Sequence, residues 1–262
     1  MNYLREFLKC FNKPDLWVFY SHKRIALKYR DTVLGPFWNV INSIFLISVL
    51  SLSYFLFLSP DDFKNFIYRL SISIFLWLFI STILRESTTT LKQKLEILSE
   101  KKIDIKNFVC ENIYTNFIIF VHSLPIVIIL FFVSDFKFQF NLILSFIGLF
   151  LVLINLLLIS YFITILSAIF KDIEKIVENL VYALFFATPI IWSENMVSEK
   201  IQNLLIFNPI YHFIVLFRDP LMNNVDGKFY ESFSICLLIM LLIFFINLKL
   251  FKYLEKRIVL YL

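Results

Sequence analysis

Arg24, Lys28 and Arg30 crowd three cations into a short stretch just ahead of Leu34-Gly35-Pro36. Clustered guanidinium and ammonium groups attract a multiply charged anion, or the anionic lipid of an inner leaflet. The segment 15–36 that carries them reads as a helix, with Asp15 after Pro14 as its N-cap. Leu16, Tyr20 and Leu27 share one face of that helix, and Val18, Ile25 and Tyr29 nearly the opposite one. Two apolar faces suit a basic helix held at an anionic membrane surface, or one lying between lipid and a second protein. Pro36 can begin a following helix but disfavours helix for Gly35, so Leu34-Gly35-Pro36 is a sharp joint.

A second constellation is Leu91, Leu95 and Leu98, with Lys92, Lys94 and Glu96 between them. That spacing gives a short amphipathic helix after the Thr88–Thr90 N-cap candidates. It is either a solvated hairpin or a docking helix for a cytoplasmic partner. A third is Asn208-Pro209 inside the apolar run 201–217, with His212 four residues beyond the asparagine.

Other chemistry is excluded by composition. The chain has only three glycines, Gly35, Gly148 and Gly227, too scattered for a phosphate-binding P-loop or a dinucleotide fingerprint. Any nucleotide must sit on another subunit. Cys10, Cys110 and Cys236 show no metal spacing and no disulfide framework, and His22, His122 and His212 are equally dispersed. Asp61-Asp62 is the one adjacent acidic pair outside, and it reads as the loop that ends the first span. No metal site, cofactor or nucleic-acid partner is expected. Residues 1–30 carry seven basic side chains and no apolar stretch before a cleavage site, so no signal peptide is expected.

The elements that must position these residues follow from one fact: 60% of the 262 residues are apolar, in long blocks. A hydrocarbon core about 30 Å thick needs about 20 helical residues to cross it. Spans are predicted at about 37–58, 66–84, 108–133 (with Pro125 inside), 140–170, 176–192 and 229–251. The stretch 140–170 exceeds one perpendicular crossing and must tilt or project. The run 201–217 is short and broken at Asn208-Pro209, so it is read as a re-entrant pair of helices. The expected architecture is an all-α integral membrane protein: six transmembrane helices, an N-terminal cytoplasmic interface helix, and re-entrant extracytoplasmic helices before the last span. Its parts are a tail and interface helix at 1–36, a transmembrane domain at 37–251 containing a cytoplasmic loop at 85–107, and a C-terminal tail at 252–262.

Orientation follows from charge. Of 25 Lys and Arg residues, only Lys64, Arg69, Lys137, Lys200, Arg218 and Lys228 fall on one side of such a chain. The opposite side therefore faces the cytoplasm, with both termini. No charged residue lies near the centre of a span, which counts against an ion-coupled carrier. Asn42, Asn155 and Asn247 are the stronger polar residues in or near the apolar blocks, and Asn155 is read as an interhelical hydrogen-bonding residue. The 33 Phe, 12 Tyr and 4 Trp face lipid or pack, with the tryptophans mostly near predicted interfaces.

Four stretches together resemble the membrane-spanning permeases of ABC-type polysaccharide exporters, the group that handles O-antigen, capsule and teichoic acid. They are the basic helix leading into Lys28-Tyr29-Arg30-Asp31-Thr32-Val33-Leu34-Gly35-Pro36-Phe37-Trp38; Phe170-Lys171-Asp172-Ile173-Glu174; Thr188-Pro189-Ile190-Ile191-Trp192; and Asn208-Pro209-Ile210-Tyr211 followed by Phe217-Arg218-Asp219. Lys171 stands where the family typically has arginine.

The resemblance implies a homodimer in the bacterial inner membrane, joined to two copies of a cytoplasmic ATPase that holds ATP and Mg. The cargo is a lipid-linked polysaccharide of the undecaprenyl-diphosphate type, surrounded by membrane lipid. Arg24, Lys28, Arg30, Leu34 and Gly35 would attract the lipid pyrophosphate at the cytoplasmic entrance. The loop between spans two and three would couple the ATPase through Leu91, Leu95, Leu98, Lys94 and Glu96. Trp192, Tyr211, Asn208 and Pro209 would shape the exit, the aromatics by stacking on sugars. The rivals are an exporter of drugs or small lipids with a related fold, and a membrane-embedded glycan or acyl transferase.

Overall fold

A computed structural model describes residues 14–92, 105–133 and 141–254. Its α-helices run in the order α1 (Pro14–Lys28), α2 (Phe37–Phe55), α3 (Pro60–Thr89), α4 (Ile105–Val133), α5 (Leu142–Ile169), α6 (Ile173–Ala187), α7 (Glu199–Leu204), α8 (Pro209–Leu221) and α9 (Gly227–Leu254). Single 3-10 turns at Glu194–Met196 and Leu205–Phe207 join the shorter pieces.

Among the described residues, α2, α3, α4, α5 and α9 are long and apolar enough to cross a membrane. Helix α6 has 15 residues, shorter than a full crossing requires. The apolar run continues through Ile190-Ile191-Trp192, but Pro189 disfavours helix at Thr188, which is extended (φ −100°, ψ 139°). Beyond it, the segment 199–207 and α8 meet at an angle of 98°. The bend falls at Asn208. Its side chain accepts from the N–H groups of Ile210 and Tyr211 at 3.0 and 3.3 Å, and Pro209 fills the first helical position.

Helix α3 is the centre of the bundle. Of its apolar window 72% is buried, against 17% for α2 and 11% for α9, so those two turn most of their apolar surface outward. α3 packs on α2, α4, α5, α6 and α8, while α9 rests on α5 and α8. Its start is capped by Ser59, which accepts from the Asp62 N–H at 3.3 Å and donates to Asp62 Oδ2 at 2.5 Å. Asp62 is thereby a capping residue.

Helix–helix contacts use small and amide side chains, as they do where lipid offers no hydrophobic drive. Gly148 on α5 lets α8 approach so closely that a Cβ there would lie 2.3 Å from the Leu216 carbonyl oxygen. Ser145, one turn earlier, donates to the Phe217 carbonyl at 3.0 Å. Asn155 donates to the Cys236 carbonyl at 3.2 Å, and Asn247 returns a bond from α9 to Leu158 at 3.0 Å. Asn155 is thus an interhelical hydrogen-bonding residue.

Candidate functional site

Helix α1 lies against the first half of α4. Ser21 is buried and within reach of the Glu111 carbonyl at 3.2 Å, and Trp17 meets Tyr114 edge-on with centroids 5.1 Å apart. This contact occupies one side of α1 and leaves Phe19 and Leu27 exposed on the other. The chain then turns at Asp31 (φ 64°) and Gly35 (φ 54°) before entering α2. Gly35 sits in the left-handed region that a side chain disfavours, so the Leu34-Gly35-Pro36 joint depends on it.

Between α1, α2, α3 and α4 lies a cavity of about 310 Å³. Lys28, Asn39, Asn42 and Ser43 line one side, Thr82 a second, and Asn116 and Ser123 a third, with Phe75, Phe79 and Phe120 deeper in. In an otherwise apolar bundle this is a concentration of amide, hydroxyl and ammonium groups. The Tyr29 hydroxyl accepts from Asn39, one of the lining residues. Burial holds the Tyr29 phenol above its ordinary value; the bond from Asn39 opposes this, and the nearby Glu86 carboxylate reinforces it.

The three predicted cations are not equivalent. Arg24 is paired with Glu86 at 3.1 Å, and Asn116 donates to the same carboxylate oxygen at 2.6 Å. Arg30 lies 3.9 Å from Asp31 with both side chains largely exposed. Lys28 lines the cavity, its ammonium 5.9 Å from the Tyr29 ring centroid. Of the three, Lys28 lines the cavity; Leu34 and Gly35, at the joint before α2, do not.

A polar network continues below. Asn112 on α4 donates to the Ile83 carbonyl at 3.3 Å and reaches Ser87 Oγ at 3.4 Å. Ser87 contacts Ser160 at 2.6 Å, and Thr164 donates to the Ser87 carbonyl at 3.0 Å. Arg85 lies over the Tyr182 ring of α6, 4.9 Å from its centroid. Lys92 pairs with Glu174 at 2.7 Å, which holds the Glu174 carboxyl below its usual range. The ends of α1, α3, α4, α5 and α6 are therefore tied together where α3 leaves the bundle. Leu91 is buried, which removes it from an exposed docking stripe. Lys94, Leu95, Glu96 and Leu98 lie outside the described residues.

At the opposite end of α3, the predicted exit residues turn out to be joints. Asn208 caps α8 and also donates to Thr188 Oγ1 at 2.9 Å, tying the end of α6 to the start of α8. Pro209 is the first residue of α8. Tyr211 is buried and packs with Leu205 and Val215 against half-buried Trp192, whose indole donates to the Phe186 carbonyl at 3.0 Å. The Tyr211 ring therefore has no open face for a sugar; Trp192 retains part of one.

Sequence reasoning missed the charge cluster beside these joints. Arg218 is 4% exposed; its Nε donates to Asp219 at 2.7 Å and Nη1 to the Pro189 carbonyl at 3.0 Å, with Glu194 3.9 Å away. Lys228 meets the other oxygen of Glu194 at 2.5 Å. An Arg-Asp pair inside the apolar run 209–221 was the available signal. The stretches 188–192, 208–211 and 217–219 thus meet at one place, held by the bonds from Asn208 and Arg218.

No protein-family profile matches this chain. Among curated proteins, it is 23% identical over 249 residues to an O-antigen export system permease protein RfbA of Klebsiella pneumoniae, covering 93% of each chain. A second Klebsiella pneumoniae protein of that name is 22% identical over the same length, and one from Myxococcus xanthus is 22% identical over 211 residues, 80% of this chain and 78% of that one. Two of these matches run nearly end to end, so over most of its length the chain is similar to permease proteins of O-antigen export systems, and five of its described helices are long and apolar enough to cross a membrane.

Proposed function

We propose that this chain is the transmembrane subunit of an ATP-driven exporter that moves a polysaccharide linked to undecaprenyl diphosphate across the bacterial cytoplasmic membrane. The observation that carries the reading is the cavity lined by Lys28 and the amides of Asn39, Asn42 and Asn116. A diphosphate headgroup needs a cation and hydrogen-bond donors at the membrane boundary; Lys28 supplies the first and the Asn42 amide the second, while the Asn39 and Asn116 amides already donate to Tyr29 and Glu86. The three curated relatives are named as O-antigen permeases, which supports the substrate class.

In this account both termini face the cytoplasm and α1 lies at that interface. Helices α6, α7 and α8 form the exit: α6 crosses part of the bilayer, and the bent pair dips in and returns. The uncovered faces of α2 and α9 meet lipid and a second copy of the chain. Two copies of a separate ATPase, holding ATP and Mg, dock at the loop 85–107. Their motion reaches the cavity through Lys92–Glu174, Ser87 and Glu86. The enzyme alternative loses its acidic pair, since Asp62 is used as a cap.

The test is inactivation of the chain in its native cell, followed by extraction of lipid-linked glycan. Accumulation of completed glycan on the cytoplasmic leaflet, reversed by the intact chain and not by one with its ATPase partner inactivated, is the expected result. Unchanged glycan with a gain in sensitivity to amphiphilic drugs would replace this reading by the small-molecule exporter.

A further inference from the structure

The hydrogens around the Lys28 cavity are mostly spent. Ser43 donates to the Asn39 carbonyl and Thr82 to the Leu78 carbonyl, both at 2.7 Å, and Ser123 to the Ile119 carbonyl at 3.5 Å. Each bond runs back one turn of its own helix. A hydroxyl has one hydrogen and two lone pairs, so these three side chains offer the cavity acceptors only. Asn116 is 3% exposed, and its amide donates to the Glu86 carboxylate at 2.6 Å and to the Asn112 carbonyl at 2.9 Å. Both partners can only accept, so the nitrogen must face them and the Asn116 Oδ1 remains an acceptor. That oxygen is not sealed in the protein; it opens on the cavity its residue lines. Asn39 donates to Tyr29 and keeps its Oδ1 in the same way. Among the described lining residues, the donors left over are the Lys28 ammonium and the Asn42 amide, both on exposed side chains. The cavity therefore has donors at its open side and acceptors along its inner wall.

A fully esterified diphosphate has acceptors and no hydrogens to give. It matches Lys28 and Asn42 and leaves the inner oxygens unanswered. An ammonium ligand would answer them but would meet the charge of Lys28. A neutral ring bearing hydroxyl groups answers them without charge. Phe75, Phe79 and Phe120, all buried, give the C–H side of such a ring an apolar wall. The cavity, at about 310 Å³, is at the low end for small-ligand pockets, which run about 300–1,000 Å³. Its lining covers seven residues of α3, from Phe75 to Thr82, about 10 Å at 1.5 Å per residue. That is room for one ring and not for a chain. We propose that the inner wall of this cavity binds a single neutral sugar ring by accepting from its hydroxyl groups, while Lys28 and Asn42 hold the adjoining phosphate. This rests on the diphosphate reading above and adds what the cavity recognises beyond it, the first sugar of the glycan.

The experiment uses the full chain in phosphatidylcholine nanodiscs and compares the affinities of two farnesyl diphosphate probes. One carries a neutral hexose, glucose or galactose; the other carries a cyclohexyl ring, which has no hydroxyl groups. The hexose probe should bind roughly tenfold tighter, the yield of one or two neutral hydrogen bonds. Thr82→Val combined with Ser123→Ala should bring that ratio close to one. Thr82→Ser, which keeps the hydroxyl, should preserve it. Lys28→Gln should weaken both probes alike and leave the ratio standing, because both carry the diphosphate. A ratio near one in the intact chain for both hexoses overturns the sugar site. So does a ratio that Thr82→Val with Ser123→Ala does not move. A ratio that is kept while Lys28→Gln weakens neither probe would instead remove the diphosphate reading, so the two fail separately. No measurable binding of either probe overturns both.

Discussion

The two ends of α3 handle charge in opposite ways. Around Glu86, the Arg24 pair is about a quarter exposed, and the buried neighbours Ser87, Asn112, Ser160 and Thr164 are neutral. Around Arg218, the ions themselves are buried, and their bonds reach into Pro189 and Glu194 on other segments. Water and a moving partner can rearrange the first arrangement at small cost. Separating the second leaves a charge in a dry interior. The cytoplasmic end in our orientation is thus built to be adjusted, and the opposite end is built to hold three joints in fixed relation.

Mutations should separate the two ends by size of effect. Arg218→Ala strands Asp219 and the Pro189 carbonyl together. Loss of about 3–5 kcal/mol is expected, read as failure to unfold cooperatively in detergent or a large fall in unfolding temperature. Gly148→Val forces a side chain against the Leu216 backbone and should cost about 1–3 kcal/mol by the same measurement, with α8 displaced from α5. Asn208→Ala removes the cap of α8 and its tie to Thr188, for about 0.5–2 kcal/mol. Arg24→Gln should cost no more than about 1 kcal/mol, since its pair is partly solvated. An Arg24→Gln protein as unstable as Arg218→Ala would erase the contrast.

The smallest effect is a pH response at the loop contact. Lys92 depresses the Glu174 carboxyl, chiefly through the hydrogen bond and then through its charge. A carboxyl lowered on folding stabilises the contact above its unfolded value, and that stabilisation is lost as pH falls through the lower folded value. Hydrogen exchange of amides near residue 92 should therefore quicken below the ordinary glutamate range, and Glu174→Gln should remove the step. An equal step in Glu174→Gln would assign it elsewhere.

The crossing helices were legible because apolar blocks of membrane length have no other use. Their ends were less so. Arg85-Glu86 reads as the close of a span at 66–84, yet α3 continues to Thr89, because α4 and α5 bring Asn112, Asn116, Ser160 and Thr164 to bond its last polar turns. The span expected at 176–192 stops at Ala187 for the opposite reason: an apolar sequence continues, but Pro189 will not extend the helix. At the cavity, the cations 24, 28 and 30 were visible as a group. Nothing local revealed that Glu86, 62 residues from Arg24, would take up one of them and leave Lys28 facing inward. Arg218 and Lys228 were counted in sequence as loop cations, because Glu194 reaches them only through the bend at Asn208.

The central claim is that lipid-linked glycan enters beside Lys28. A photo-crosslinking residue at Asn42, which lines the cavity, should capture labelled lipid-linked glycan in actively exporting membranes. The same residue at Phe45, which lies on α2 and is 70% exposed, should capture only bulk lipid. Glycan adducts at 42 and not at 45, abolished by Lys28→Gln, are the predicted result. Equal capture at both positions, or none at 42 while export continues, would contradict the account.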